Sequence, residues 1–580
     1  MLTTWRIGPV LLPALITVTC AAPVCAWDQQ FGEAPQSFEN AVVAADHPAA
    51  SAAGAEILKR GGNVVDAAVA VAFTLSVVRP ESCGIGGGGF MVIWNAERQE
   101  AIALDYRERA PVAASRGMFD PDVTPDPPSS RRGGAAVAVP GDVAGLCYAL
   151  HEYGTLDLPT VLAPALRLAR EGVPVDRQML SSRKLILARL AGQAGATERY
   201  AALHSIYLNN GDPGEEGDRF DSPLADVLQR IADAGSEGFY QGPVADAIVA
   251  EVQRLGGLIS HEDLNEMEPV VRAPLEGKFD GHVIITMPPP SSGGVALLQM
   301  LNTLSAFEEA HPDIKLESYG HNNPDYIHLV TEAMKHAFAD RAEFLGDADF
   351  ADVPVEDLIG HDYAAELATR IDMSSTGSRD FYGQHATPDD GGTSHFSIID
   401  SAGNAVACTE TINTAYGSLV VEPRFGIVLN NEMDDFAAVP GQPNAFGLLQ
   451  SEANAIAPRK KPLSSMTPTI LVKDGRAVLA VGASGGPRII TATLQVLLNR
   501  IRFGMSVHEA VSAPRFHHQW VPEELRVENG IDQAAVDALR RKRHETKRIS
   551  SLAAAQAATR DAGGLQGASD PRKGGRPSGY

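Results

Sequence analysis

Residues 374–392 interrupt the chain with a run of Ser, Thr, Gly, Asp and Pro in which hydrophobic periodicity disappears. Helix-like patterns precede this run, and strand-like alternation follows it. Residues 393–400 and 405–413 alternate as strands, with Ser401-Ala402-Gly403-Asn404 as the turn between them. The interruption is therefore predicted to be exposed and mobile, and it is a natural place for the chain to be divided. Thr393 lies where the loose run meets the first strand. A threonine hydroxyl is a poor nucleophile without a base. If the bond before Thr393 is cut, the freed α-amino group, with a reference pKa of about 7.7–8.0, becomes that base. Gly392 has no side chain to obstruct the carbonyl that would be attacked. Thr is also common at the start of an ordinary strand, so the local pattern leaves both readings open.

The rest of the chain supplies helices around this junction. Residues 48–60 read as a helix with Pro48 in its first turn, ended by Gly61-Gly62-Asn63. Residues 64–77 are apolar nearly all round, which predicts a buried helix. The run Gly84-Ile85-Gly86-Gly87-Gly88-Gly89 matches GxGxxG formally and precedes a strand at 90–94. A dinucleotide site needs a strand before the glycines and a helix after them. The order here is the reverse, which points to close backbone packing beneath a helix. Helical patterns recur at 167–171, 243–255, 295–304 and 325–344, and Ser260 with Asp263 forms a capping-box pattern. The tail after Ser569, rich in Gly and Arg, is expected to be partly disordered.

Charge and cysteine content narrow the function class. The formal net charge of −24 repels phosphate backbones, and the one basic cluster, Arg540-Arg541-Lys542-Arg543, reads as a solvated helix face. Nucleic acid is excluded as a partner. Arg6, an apolar stretch at 7–20 and Val24-Cys25-Ala26 read as a secretory signal cleaved after Ala26, with the periplasm as the expected destination. The other reading, an uncleaved membrane anchor, is disfavoured because the apolar run contains Pro9 and Pro13 and falls short of a bilayer span. Cys20 and Cys25 leave with that signal, and Cys83, Cys147 and Cys408 cannot all pair, so a disulfide framework is not expected. No Cys or His spacing suits a metal, so neither a metal in the catalytic site nor a cofactor is expected.

Gly392-Thr393-Ser394-His395-Phe396-Ser397 followed by Asp400 resembles the processing site of gamma-glutamyltranspeptidases, which are N-terminal-nucleophile hydrolases. Further motifs similar to that family occur in order. They include Asp105-Tyr106-Arg107-Glu108, Leu429-Asn430-Asn431-Glu432-Met433-Asp434-Asp435-Phe436 and Pro462-Leu463-Ser464-Ser465-Met466. Gly485-Gly486, Arg515-Phe516-His517-His518-Gln519 and Gly567-Ala568-Ser569-Asp570-Pro571-Arg572 follow, and Phe338-Ala339-Asp340-Arg341 fits in the first half.

The resemblance implies an α+β fold, a four-layer αββα sandwich formed by two subunits of one self-cleaved precursor. Their spans would be 27–392 and 393–580, after removal of 1–26. It implies Thr393 as nucleophile in processing and turnover, with Thr411 hydrogen-bonded to it and Gly485 and Gly486 as oxyanion donors. Arg107, Ser464 and Ser465 would bind the substrate carboxylate, while Asn413, Glu432 and Asp435 would accept from its ammonium. The expected substrates are glutathione and other gamma-glutamyl compounds, with water, amino acids or dipeptides as acceptors. Residues 440–450, containing Phe446, resemble a lid over the glutamyl pocket. Each site residue also has a plainer reading. Arg107 with Asp105 and Glu108 could be a surface ion-pair cluster, Glu432 with Asp434 and Asp435 a solvated turn, Gly485-Gly486 a tight bend, and Ser464-Ser465 a helix cap. Glu432 departs from the Gln found in some bacterial members. Two rival functions are a glutaryl-cephalosporin acylase, whose acyl group lacks the ammonium, and an inactive secreted binder of gamma-glutamyl peptides.

Overall fold

Two seven-stranded sheets, antiparallel throughout, lie face to face in the computed structural model. The structure describes residues 36–382, 392–439, 442, 444–448 and 450–580. From edge to edge, the first sheet runs Ser578–Gly579, Ala41–Ala45, Thr393–Asp400, Ala405–Thr411, Gly88–Asn95, Glu100–Tyr106 and Val270–Arg272. The second runs Ser37–Phe38, Gly564–Ser569, Ala554–Asp561, Arg476–Ser484, Thr469–Lys473, His282–Thr286 and Leu275–Phe279. Both sheets mix strands from either side of residue 392.

Helices close both outer faces. Pro48–Lys59 and Val64–Val78 cover the first sheet. The second of these begins at a capping box between Asn63 and Asp66 and is buried along its whole length, as its unbroken apolar sequence requires. Gly293–Ala310, Arg488–Ile501 and Val507–Ser512 cover the second sheet, with Pro324–Phe344 packed on them. The result is the expected αββα sandwich.

Being interior, the Thr393–Asp400 strand is buried on both faces. Phe396 and Ile398 pack towards the helices, and the alternate positions face the second sheet. Polar groups there are satisfied locally. His395 is hydrogen-bonded through Nδ1 to Thr409 Oγ1 at 2.8 Å and through Nε2 to Ser397 Oγ at 3.0 Å. Burial pushes its pKa down to about 3, so the imidazole is neutral. Its ring fills the space over Gly482, where an added Cβ would lie 2.4 Å away.

Four expectations meet different outcomes. The glycine run packs closely on backbone as expected, with Gly84 against Ser76 of the helix Val64–Val78 and the glycines after it against other segments. A Cβ on Gly86 would sit 2.0 Å from the Val428 carbonyl oxygen, and one on Gly87 2.0 Å from that of Thr411. Only part of 374–392 was predicted correctly as non-periodic and exposed. Thr376 is buried, its amide donates to Lys542 O (2.9 Å) and its hydroxyl to Glu332 Oε1 (2.6 Å), while Arg379 O accepts from Trp520 Nε1. Residues 383–391 lie outside the described residues. The C-terminal tail is ordered, because Asp570 is paired with Arg515 at 2.7 Å and Ser578–Gly579 extends the first sheet. The helical pattern at 167–171 is the end of a longer helix, Leu158–Glu171.

Candidate active site

Thr393 opens its strand directly opposite Thr411 in the antiparallel register. The Thr393 hydroxyl donates to Gly392 O at 2.7 Å, and the Thr411 hydroxyl donates to the same oxygen, also at 2.7 Å. The two hydroxyl oxygens are 3.1 Å apart. Thr411 Oγ1 accepts from the Asn413 amide (2.8 Å), which leaves its own proton for Gly392 O. Gly392 N donates to Asn413 O at 2.7 Å. Gly392 is closely packed, since a Cβ there would lie 3.0 Å from the Thr414 backbone. Behind Thr393, Lys573 Nζ donates to Thr393 O at 2.5 Å and pairs with Asp46 at 2.6 Å.

Thr393, Thr411 and Asn413 form one wall of a small, partly open cavity. Arg107 enters it from just past the strand Glu100–Tyr106, and Glu432 and Asp435 from a single turn of 3-10 helix. Ser464 and Ser465 come from the loop before Thr469–Lys473, and Gly486 from the bend leading into Arg488–Ile501. Phe446, Leu448, Met466 and Ile489 supply the apolar wall.

Charges inside the cavity are balanced against one another. Arg107 is 1% exposed, with Nη1 at 2.8 Å from Glu432 Oε2 and Nη2 at 2.7 Å from Asp435 Oδ2. Its Nε donates to Pro462 O, and Glu108 stands 3.5 Å from Nη1. Three buried carboxyls thus face one guanidinium. Burial raises the pKa of Glu432 well above the usual range against the pull of Arg107, and Glu108 and Asp435 add to the rise. Asp435 is raised for the same first reason, and Glu108 is raised by burial to about 7. The three cannot all be ionised together, so the site shares protons until another cation enters. Ser464 Oγ accepts from Met466 N and Ser465 Oγ from Arg341 Nη2, so both hydroxyl protons are available to a ligand.

The arrangement offers a hydroxyl beside a polarised carbonyl and, within the same cavity, a guanidinium flanked by carboxylates. Sequence comparison gives the same direction. The profile of the family described as Gamma-glutamyltranspeptidase matches residues 50–580. The chain belongs to the gamma-glutamyltranspeptidase family. The glutathione hydrolase proenzyme of Escherichia coli K12 is 41% identical over 543 residues, covering 93% of this chain and 91% of that one. Among solved structures, a cephalosporin acylase from Bacillus halodurans superposes with a TM-score of 0.82 at 28% identity, over 95% of this chain and 97% of that one. The gamma-glutamyltranspeptidase of Helicobacter pylori matches at 38% identity with a TM-score of 0.52, over 57% of this chain and 91% of that chain.

As a gamma-glutamyltranspeptidase family member, the chain gathers nearly every residue singled out from its sequence. Thr393, Thr411, Asn413, Arg107, Glu432, Asp435, Ser464, Ser465 and Gly486 line one cavity. Gly392 forms the junction, and Gly485 stands one residue behind the wall. Burial rules out the surface-cluster reading of Arg107 and the solvated-turn reading of Glu432. The strand expected over 405–413 is shorter than expected: it ends at Thr411, and Asn413, at a φ of 75°, lies beyond it. Of the expected lid, Phe446 is buried on the cavity wall, while Pro440, Gly441, Pro443 and Leu449 lie outside the described residues.

Three residues had no assigned role. Asn444 donates to Asp435 Oδ1 at 3.2 Å, Lys573 braces Thr393, and Arg341 sits on the cavity wall. Local pattern could not reveal Lys573 and Arg341, which act on Thr393 and Ser465 across long sequence separations, whereas Asn444 acts on Asp435 from within the nearby lid stretch. Cys83, Cys147 and Cys408 are free thiols. Among the described residues, one group has metal-like spacing, His328, Glu332 and His544, and none of the three lines the cavity. There His328 Nδ1 and His544 Nε2 are hydrogen-bonded at 2.7 Å, and Glu332 accepts from Thr376 and Tyr382.

Proposed function

We propose that this chain cleaves the gamma-glutamyl amide of glutathione and related compounds and transfers the glutamyl group to water, amino acids or dipeptides. The observation that carries this reading is the convergence of the Thr393 and Thr411 hydroxyls on Gly392 O at the wall of a cavity holding Arg107, Glu432 and Asp435.

Processing comes first. Thr393 Oγ1 attacks the Gly392 carbonyl carbon, and Thr411 stabilises the oxyanion through the hydrogen bond it already makes. The hydroxyl proton passes to the leaving nitrogen of Thr393, giving an ester and a free α-amino group. Water then opens the ester, leaving a carboxylate on Gly392 and restoring the Thr393 hydroxyl. The products are subunits 27–392 and 393–580, with 1–26 removed as a secretory signal on the way to the periplasm.

Turnover repeats this chemistry on substrate. The Thr393 amine takes the hydroxyl proton while Oγ1 attacks the gamma-carbonyl, and the proton then goes to the departing amine. The backbone amides at Gly485 and Gly486 serve the oxyanion. Arg107, Ser464 and Ser465 bind the α-carboxylate, and Asn413, Glu432 and Asp435 accept from the ammonium. Entry of that ammonium lets the crowded carboxyls ionise together.

The likeness to a cephalosporin acylase supports a second reading, an amidase for glutaryl side chains. The Glu432–Asp435 pair favours the gamma-glutamyl reading, because a glutaryl group brings no cation to it. Hydrolysis of gamma-L-glutamyl-anilide and glutaryl-anilide by the mature protein separates the two. Faster release from the gamma-glutamyl compound is expected. Faster release from the glutaryl compound would assign the chain to the acylases, and no release from either would leave an inactive binder.

A further inference from the structure

Arg341 is the second guanidinium on the cavity wall, and its situation is opposite to that of Arg107. It projects from the helix Pro324–Phe344 and is 1% exposed. Nε donates to Ser292 Oγ at 2.9 Å and Nη2 to Ser465 Oγ at 3.3 Å, both neutral acceptors. Nη1 is buried without a hydrogen-bond partner. Among the described residues no ion pair joins Arg341 to a carboxylate, whereas Arg107 holds two at 2.8 and 2.7 Å. Burial therefore pulls the Arg341 pKa down to about 10, with only the more distant Asp435 opposing it.

A buried guanidinium is costly unless an anion compensates its lost hydration. Here no described residue supplies the compensating group, and the unpaired nitrogen belongs to a residue lining the substrate cavity. We propose that Arg341 is a substrate-binding residue whose Nη1 takes one oxygen of the α-carboxylate of the gamma-glutamyl donor. The inference rests on the gamma-glutamyl reading of the site. Its Nη2 fixes Ser465 as acceptor on one side, so that the Ser465 hydroxyl proton is directed to the same carboxylate. Binding is then an exchange of partners. The substrate ammonium takes over Glu432 and Asp435, and the carboxylate occupies Arg107, now released, together with Arg341. A ligand lacking the carboxylate leaves Arg341 uncompensated, which makes this residue a determinant of specificity.

The test compares three anilides on mature enzyme: gamma-glutamyl, glutaryl (no ammonium) and 4-aminobutyryl (no carboxylate). For Arg341→Met, kcat/KM on the two carboxylate-bearing substrates should fall about 10- to 100-fold, mostly through KM, with the 4-aminobutyryl value within about twofold of the wild type. An equal loss on all three would make Arg341 structural, and no loss on any would remove it from the site. Either result overturns the proposal. Should the Met variant fail to fold, Arg341→Lys keeps a buried cation with a shorter reach. It should again lose selectively on the carboxylate-bearing pair, and an equal loss on all three would count against the proposal. Arg107→Met is the control for the underlying reading. If it leaves the gamma-glutamyl to 4-aminobutyryl preference intact, the site assignment itself fails. If it abolishes that preference while Arg341→Met does not, only the Arg341 inference fails.

Discussion

The hydroxyl oxygens of Thr393 and Thr411 lie 3.1 Å apart and converge on one carbonyl oxygen, that of Gly392. Register explains the pairing, since the two residues stand opposite each other where their strands begin and end. The carbonyl to be attacked is thus polarised by two donors before any chemistry, and Thr411 is oriented by the amide of Asn413.

Thr411→Val removes the donor but keeps the shape. Loss of one oxyanion donor typically costs about 100- to 1000-fold, so the half-time of self-cleavage should lengthen by that order. A time course of intact mass after synthesis measures it, with Thr411→Ser expected to mature at close to the normal rate. Cleavage of the Val variant at the wild-type rate would show that Gly392 O needs no help from this hydroxyl.

Asp435 is held between Arg107 and Asn444 at 2.7 and 3.2 Å. In Asp435→Asn the charge is lost and one acceptor oxygen remains, enough for either Arg107 Nη2 or Asn444 Nδ2 but not for both. KM for gamma-glutamyl-anilide should rise about 10- to 100-fold, and glutaryl-anilide, with no ammonium, should change little. Equal losses on the two substrates would separate Asp435 from ammonium recognition.

Glu410 gives a stability prediction. It is buried beside Tyr106, whose hydroxyl donates to it at 3.3 Å, and burial raises its pKa to about 8 from 4.5. The folded chain therefore holds this proton where the unfolded chain releases it. The contribution to stability is complete below pH 4.5, declines as pH rises, and is exhausted above about pH 8. Glu410→Gln should fold and show a shallower fall of Tm between pH 5 and 8 than the wild type. Parallel Tm profiles would mean that Glu410 is ionised in the folded protein.

Much of the site was legible because its residues sit in short ordered motifs such as Gly392-Thr393 and Ser464-Ser465. The hairpin from Thr393 to Thr411 was legible from alternation, since interior strands and a tight turn leave that pattern. Where contacts join distant segments, sequence was silent. The interlayer position of Lys573 behind Thr393 spans 180 residues, and the tail that carries it looked disordered by composition yet is fixed by Asp570 and by the edge strand Ser578–Gly579. Asn413 was misplaced for a local reason, because the strand ends two residues earlier and the backbone turns to positive φ. Arg341 lies in the motif Phe338-Ala339-Asp340-Arg341, yet its role is invisible in sequence, since a helical arginine reveals its burial and its unpartnered nitrogen only in three dimensions.

The most direct test of the central claim is the intact mass and N-terminal sequence of the purified protein beside its Thr393→Ala variant. The account predicts two chains for the wild type, the smaller beginning at Thr393, and a single uncut chain for the variant. Cleavage of the variant at the same bond, or a wild-type protein active as one unbroken chain, would contradict it.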